Sequence, residues 1–304
     1  MLNTTLSSIL LDNINIKPGE YFPTYLCRLM KYADFCAPRE ILSLLNVSSP
    51  RLIGDTLPRW AVKFAMEAYG KQGFENVLTE NMLGNYWQGF VSSDVLNVYV
   101  QNQMNDKATG RVLFSAEKLL MHYHSLKYCS ECHNEDITTR GFVVWKAEHQ
   151  AMTAFICQQH NTTLSQRLVS EFNGFESADG FFDKSSFSTP HITLFHRWLD
   201  WETKLLMRGG VDYQREQVEL HKRVFMESSF YSHSRSKVSV TLNNQWRSAL
   251  HRYFIILFPD LHRSAENTAN NNAFKASAVM SENGSIHPFM FLLFKFFYMN
   301  EYRA

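Results

Sequence analysis

The sequence predicts a mainly α-helical protein in three parts: a helical, helix-turn-helix-like domain (1–112), a compact central module (113–170) and a helical C-terminal domain (171–304). Three observations lead there. Apolar residues recur at helical spacing in both outer segments. Cysteine and histidine concentrate in a short polar stretch between them. A glycine-bearing polar segment, "NGFESADGFFDKSSFSTPH", separates that centre from the C-terminal helical patterns and reads as a connector.

The first helix is "PGEYFPTYLCRLMKYA", Pro18 to Ala33, with Tyr21, Phe22, Tyr25, Leu26, Leu29, Met30 and Ala33 on one face and Pro23 in its first turn. "APREILSLLNVSS" comes next, with Ile41, Leu42, Leu44 and Leu45 inward. A third helix starts at Pro58 and stops at Gly70, a natural C-cap. Three short helices with tight turns fit a helix-turn-helix unit, and they fit an ordinary small bundle, the commoner outcome. Basic groups at Arg28, Lys31, Arg39, Arg59 and Lys63 are expected on the exposed faces of these helices.

Residues 115–125, "SAEKLLMHYHS", predict another helix leading into Cys129. Beyond it "GFVVW" is strand-like and "KAEHQAM" short and polar. The C-terminal part carries helical patterns in "LFHRWLDWETKLLM", "QREQVELHKRVFM" and "NNQWRSALHRYFIILFPDL". The tract "SAENTANNNAFKASAVMSENGS" is expected to be loop-rich, and the apolar "IHPFMFLLFKFFYM" to be a buried terminal helix capped or oriented by His287. No internal repeat is visible.

With 304 residues, 45% hydrophobic and 14% aromatic, the chain can bury a sizeable core and is not generally disordered. Its 30 Lys and Arg face 29 Asp and Glu. Phosphate contacts supply most nucleic-acid affinity, so this balance disfavours tight autonomous DNA binding. The N-terminus lacks a basic n-region, and the longest apolar stretch is interrupted by His287, Pro288 and Lys295 and too short to span a bilayer. A cytoplasmic protein without a membrane role is expected. Five cysteines do not make a disulfide scaffold; Cys27 and Cys36 read as small buried hydrophobes.

The remaining three cysteines carry chemistry. Cys129 and Cys132 form Cys-x2-Cys, and Cys157 and His160 form Cys-x2-His. Two-residue spacing turns both side chains of a knuckle toward one point, and two knuckles complete a tetrahedral shell of three thiolates and one imidazole around zinc. The module is thus expected to be zinc-ribbon-like, with one structural zinc bound by Cys129, Cys132, Cys157 and His160. Four protein ligands leave no position for a catalytic water. A redox pair is disfavoured because it would follow a strand and open a helix, whereas here a helix is expected before the pair and a polar loop after it. Core cysteines by chance are disfavoured because "YCSECHNED" is polar. His133 and His149 are substitute ligands outside any knuckle. No phosphate-binding glycine loop, nucleophile elbow or HExxH is present. The acidic pairs Asp200/Glu202 and Glu216/Glu219 read as solvated helix faces, and no catalytic residue is assigned.

Taken in order, Tyr128, Cys129, Cys132, Trp145, His149, Gln150, Cys157, His160 and Leu164 resemble the signature of the TniQ/TnsD family of transposon target-selection proteins. "PGEYFPTYLCRLMKYADF" is similar to that family's opening segment, and "SIHPFMFLLFKFF" to a His-Pro helix of its TnsD branch. The resemblance implies a non-enzymatic adaptor that recognises an insertion site, by touching target DNA or by riding on an RNA-guided Cascade complex. It then recruits a TnsC-like AAA+ ATPase through its N-terminal region; a homodimer is compatible with this. Trp145, His149 and Gln150 would support the zinc module. Relatives often carry a further zinc knuckle soon after this set, and longer TnsD-type members continue past the His-Pro helix; here no cysteine follows Cys157, and the sequence ends at Ala304. Those departures favour a short adaptor whose DNA address comes from a partner over a stand-alone, sequence-specific DNA-binding protein.

Overall fold

Phe22 and Tyr25 start the core. A computed structural model describes residues 15–25, 28, 57, 59–105, 113–114, 117–120, 123–168, 191–209, 212–227, 240–280 and 286–302. The predicted second helix, Lys31, Arg39, both outlying cysteines and the connector lie outside them. Residues 22–25 are helical, and the Phe22 ring stacks on Trp60 at 5.8 Å and meets Phe64 edge-on at 5.7 Å. Helix α1, Arg59–Asn81, is broken where predicted: Gly70 has φ 68° and ψ −176°, backbone that side chains rarely adopt. A second helical stretch resumes at once.

Two of the basic groups expected at the surface are buried. Arg28 forks onto Glu20, its Nε donating to Oε1 at 2.8 Å and its NH2 to Oε2 at 2.6 Å. Its guanidinium also lies over the Tyr25 and Phe142 rings, at 5.2 and 5.1 Å. Lys63 is buried as well. In both cases the aliphatic stem packs inward, and for Arg28 a buried carboxylate meets the charge.

Helices α2 (Gly84–Gln88) and α3 (Ser93–Met104) come next, and the N-terminus of α3 is capped by the Ser92 hydroxyl. Among the described residues, the helix predicted over 115–125 is one turn, α4 (Glu117–Leu120). Ser125 instead opens strand β1, Ser125–Tyr128, which pairs antiparallel with β2, Ser165–Leu168, in register Ser125↔Leu168 to Tyr128↔Ser165. The pairing partner lies forty residues downstream, so local periodicity gave no sign of it. Helix α5, Ser130–Arg140, stands where a polar loop was expected, and Gly141 closes it at φ 74°. "GFVVW" forms no strand; Val143, Val144 and Trp145 are buried in extended chain before a 3₁₀ turn, Ala147–Gln150.

The C-terminal helices match their patterns: α6 (Leu194–Arg208), α7 (Tyr213–Glu227), α8 (Val240–Leu257) and α11 (Pro288–Phe297). The tract expected to be loop-rich instead holds α9 (His262–Asn270), a 3₁₀ turn (Asn272–Phe274) and α10 (Ala276–Val279). Its polar composition hid a buried face of Ala265, Ala269, Phe274, Ala276 and Val279, where alanines let helices approach closely. Helix α11 is apolar all round and buried, and the His287 Nδ1 accepts from the Phe289 N–H at 3.2 Å, the expected cap.

The acidic pairs also depart from expectation. Glu202 is buried, accepting from Tyr213 Oη at 2.9 Å and from Lys295 Nζ at 2.8 Å; the same ammonium reaches Glu216 at 3.0 Å. Asp200 is turned against the central module. Only Glu219 behaves as a solvated acid, pairing with exposed Lys222. Side chains from the three stretches share one core: Phe90 stacks on Tyr213 at 5.1 Å and touches Phe291 edge-on at 5.4 Å, and Tyr123 meets Phe254 at 4.5 Å. Among the described residues no helix is long and apolar enough to cross a membrane. The chain is mainly helical, and among the described residues one small sheet lies beside the Cys/His cluster.

Candidate metal centre

Cys129 leaves β1 in extended conformation (φ −109°, ψ 129°) and serves as N-cap residue of α5, whose first turn carries Cys132. The second knuckle is a tight loop between Ile156 and Thr163, which form an isolated antiparallel bridge. Within it Cys157 N donates to Thr162 O at 2.7 Å and Asn161 N to Cys157 O at 2.8 Å, with Asn161 at φ 56°, a conformation asparagine tolerates. These two turns bring four donors to one point.

The separations describe a tetrahedron. Cys132 Sγ and Cys157 Sγ are 3.6 Å apart, and His160 Nδ1 is 3.5, 3.4 and 3.6 Å from the sulfurs of Cys129, Cys132 and Cys157. All four donor atoms lie within 4.8 Å of one another. Ligands at zinc bond lengths would sit roughly 3.8 Å apart for two sulfurs and roughly 3.5 Å for sulfur and nitrogen. The three thiols are buried and unpaired with one another by disulfides. Sharing one proton between neighbours pushes the Cys132 thiol up and holds the Cys157 thiol well down, the buried His149 and the His160 backbone N–H adding to the latter. Ionising all three sulfurs this close together would need a cation among them. The donor set, its geometry and its burial make this group able to hold a metal ion, and soft thiolates with an imidazole suit zinc.

The local context corrects one step of the sequence reasoning. The pair does follow a strand and open a helix, the setting associated with redox motifs, and its cysteines are buried despite their polar neighbours. What distinguishes it is the antiparallel pairing of β1, in place of a βαβ unit, and the second knuckle within bonding distance. His133 is outside the donor group, and His149 borders it without belonging to it.

Around the donors lies a supporting layer. Gln150 clamps β1: its Oε1 accepts from Lys127 N at 3.0 Å, and its Nε2 donates to Lys127 O at 2.8 Å and Lys146 O at 2.9 Å. Trp145 is buried, and its carbonyl accepts from Tyr21 N at 2.7 Å. Tyr128 is half-buried and Leu164 buried at the two strand ends.

Three contributors escaped the sequence reading. Glu135, three residues after Cys132 on α5, lies 2.9 Å from His160 Nε2 and accepts from Gln159 Nε2 at 2.7 Å. Asp136 is buried and ties the loop after α5 through Val144 N at 3.2 Å and Lys146 Nζ at 3.1 Å. Lys127 is fully buried; its ammonium donates to the carbonyls of Ala151, Met152 and Ala154 at 2.8, 3.1 and 2.7 Å and lies 4.7 Å over the Phe155 ring. Burial pushes its pKa down to about 7, against the opposing pull of Asp200. Reading Ser130–Arg140 as a helix would have put Glu135 beside the cysteines; nothing local flags Lys127.

No curated protein matches the chain. The TniQ family model matches residues 13–164, which hold all four donors, the Gln150 clamp and the Glu20–Arg28 pair. The TniQ domain is associated with transposition target-site selection, and the family is one of non-catalytic adaptors acting with DNA and transposase partners. The match spans half of the 304 residues, and the chain belongs to the TniQ family.

Proposed function

We propose that this protein is a non-enzymatic target-selection adaptor that links a target-DNA recognition complex, of which an RNA-guided Cascade assembly is one form, to a TnsC-like AAA+ ATPase. The observation that carries this reading is the TniQ match over residues 13–164. In it, Cys129, Cys132, Cys157 and His160 hold one zinc ion whose role is to fix the two knuckles, and four protein donors leave no site for a water nucleophile. Residues 1–112, 113–170 and 171–304 act as the partner-facing, zinc-holding and C-terminal units. A DNA address supplied by a partner is supported by the balanced charge and by the burial of Arg28 and Lys63, two cations that a phosphate backbone would otherwise meet.

The test is a pull-down of the cognate AAA+ ATPase by the full-length protein, with crosslinking mass spectrometry to locate the contacts. Capture with crosslinks in about the first 120 residues is expected, alongside weak duplex binding by the protein alone. Nanomolar, sequence-specific duplex binding with a steep salt dependence would favour a stand-alone DNA-binding protein instead.

A further inference from the structure

Helix α6 buries Phe195, Leu199 and Leu206 and leaves the opposite stripe unused. Leu194, Arg197, Trp201, Lys204 and Arg208 succeed one another at steps of three and four residues, so they share one face. Leu194 is 82% exposed and Trp201 is 56% exposed, the latter unusual for an indole. Among the described residues no carboxylate pairs with Arg197, Lys204 or Arg208.

Part of this stripe walls a cleft of about 530 Å³. Arg197, Trp201 and Lys204 stand on one side; Gln158, Asn161 and Thr163 of the second knuckle stand on the other. Asp200 supplies the single carboxylate of the lining, and it is committed inward: its Oδ1 accepts from Phe155 N at 2.7 Å and Ile156 N at 3.1 Å. That contact fixes α6 against the knuckle, so both walls are held in place. The cleft therefore offers unpaired positive charge, an exposed indole, and amide and hydroxyl groups suited to a peptide backbone. Arginine and tryptophan are the side chains that most often dominate binding energy at protein interfaces.

We propose that this cleft and stripe bind an acidic peptide segment carrying apolar side chains, presented by a protein partner. Carboxylates meet Arg197, Lys204 and Arg208, and apolar side chains meet Trp201 and Leu194. A nucleic-acid strand fits less well. Three cations over roughly 16 Å of helix are few for a phosphate backbone, and a strand has no use for the apolar anchor at Leu194, two turns from Trp201. The proposal goes beyond the adaptor reading, since it concerns α6 with the second knuckle and a contact separate from the ATPase contact expected in the first 120 residues.

The test is fluorescence anisotropy with the full-length protein and three labelled probes: a short peptide of Asp, Glu, Leu and Phe, the same peptide with Asn and Gln for the acids, and oligo(dT). The acidic peptide binds best, its affinity falls with added salt, and it loses at least about tenfold in Trp201→Ala and in Lys204→Glu. Arg197→Glu repeats the charge test at an exposed position, and metal content and melting temperature serve as folding controls. Equal or absent binding of the two peptides overturns the proposal, as does oligo(dT) binding more tightly through the same residues. The titration contains no ATPase, so a failed pull-down leaves it standing. Unchanged binding in the Trp201 variant beside a successful pull-down refutes this proposal alone.

Discussion

The Glu135 carboxylate lies 2.9 Å from Nε2 of His160, on the side of the ring opposite the three sulfurs. With a metal on Nδ1, Nε2 would carry the proton and donate it to Glu135. This fixes the tautomer and makes Nδ1 a better donor. Glu135→Gln should weaken metal binding by about tenfold or more. Competition against a chromophoric chelator reads this out. Glu135 is half exposed, so the melting temperature of the metal-loaded variant should barely move. Unchanged affinity would assign the carboxylate to the solvated surface.

Elemental analysis of the purified protein should find one zinc per chain. Because binding free energy at a structural site is folding free energy, Cys157→Ser should lose the metal and cost several kcal/mol of stability, and a strong chelator should lower the melting temperature of the native protein. Absence of stoichiometric metal ends the zinc assignment.

Gln150 makes its three hydrogen bonds to backbone groups of Lys127 and Lys146 in a buried setting. Gln150→Ala leaves those groups unsatisfied and should cost about 2–4 kcal/mol in chemical denaturation. His149→Ala should behave similarly through Cys157. If the His149 variant keeps its stability and metal yet loses partner binding, the supporting role of this group is wrong.

His287 is buried, and desolvation, with His124 adding to it, pushes its pKa from 6.5 down to about 3. The folded state therefore resists protonation that the unfolded chain accepts. Stability from this residue is full above about pH 6.5 and is lost as pH falls toward 3. Between about pH 7 and about pH 5 the loss should be roughly 2 kcal/mol. His287→Asn retains a capping side chain and should lose less over that range. The difference between the two proteins is the readout, since acid also releases metal from both. Parallel pH profiles would contradict the prediction.

How much the sequence revealed depends on how local each signal was. Helices α6, α7, α8 and α11 carry an apolar stripe or an apolar run that stands by itself, and Gly70 marks a stop through its own backbone freedom. Helix α5 has no such stripe: Cys132 and Asp136 are its buried residues, so its polar sequence looked like a loop. Strand β1 depends on a partner forty residues on. The four donors were legible because knuckle spacing is a local property that survives ignorance of the fold. Arg28, Glu202 and Asp200 were misread as surface because their partners lie on other elements, and charge alone does not say which way a side chain turns.

One backbone contact ties distant stretches to the same fate. Glu20 and Lys146 form an antiparallel bridge, with Tyr21 N donating to Trp145 O and Ala147 N donating to Gly19 O, both at 2.7 Å. The opening segment is thus hydrogen-bonded to the chain running between the two knuckles. By thermodynamic reciprocity, a ligand that favours this docked segment tightens metal binding by the factor with which the metal tightens that ligand. A protein that has lost its metal would then meet any partner of that segment as a weaker competitor, without any change at the surface where they touch.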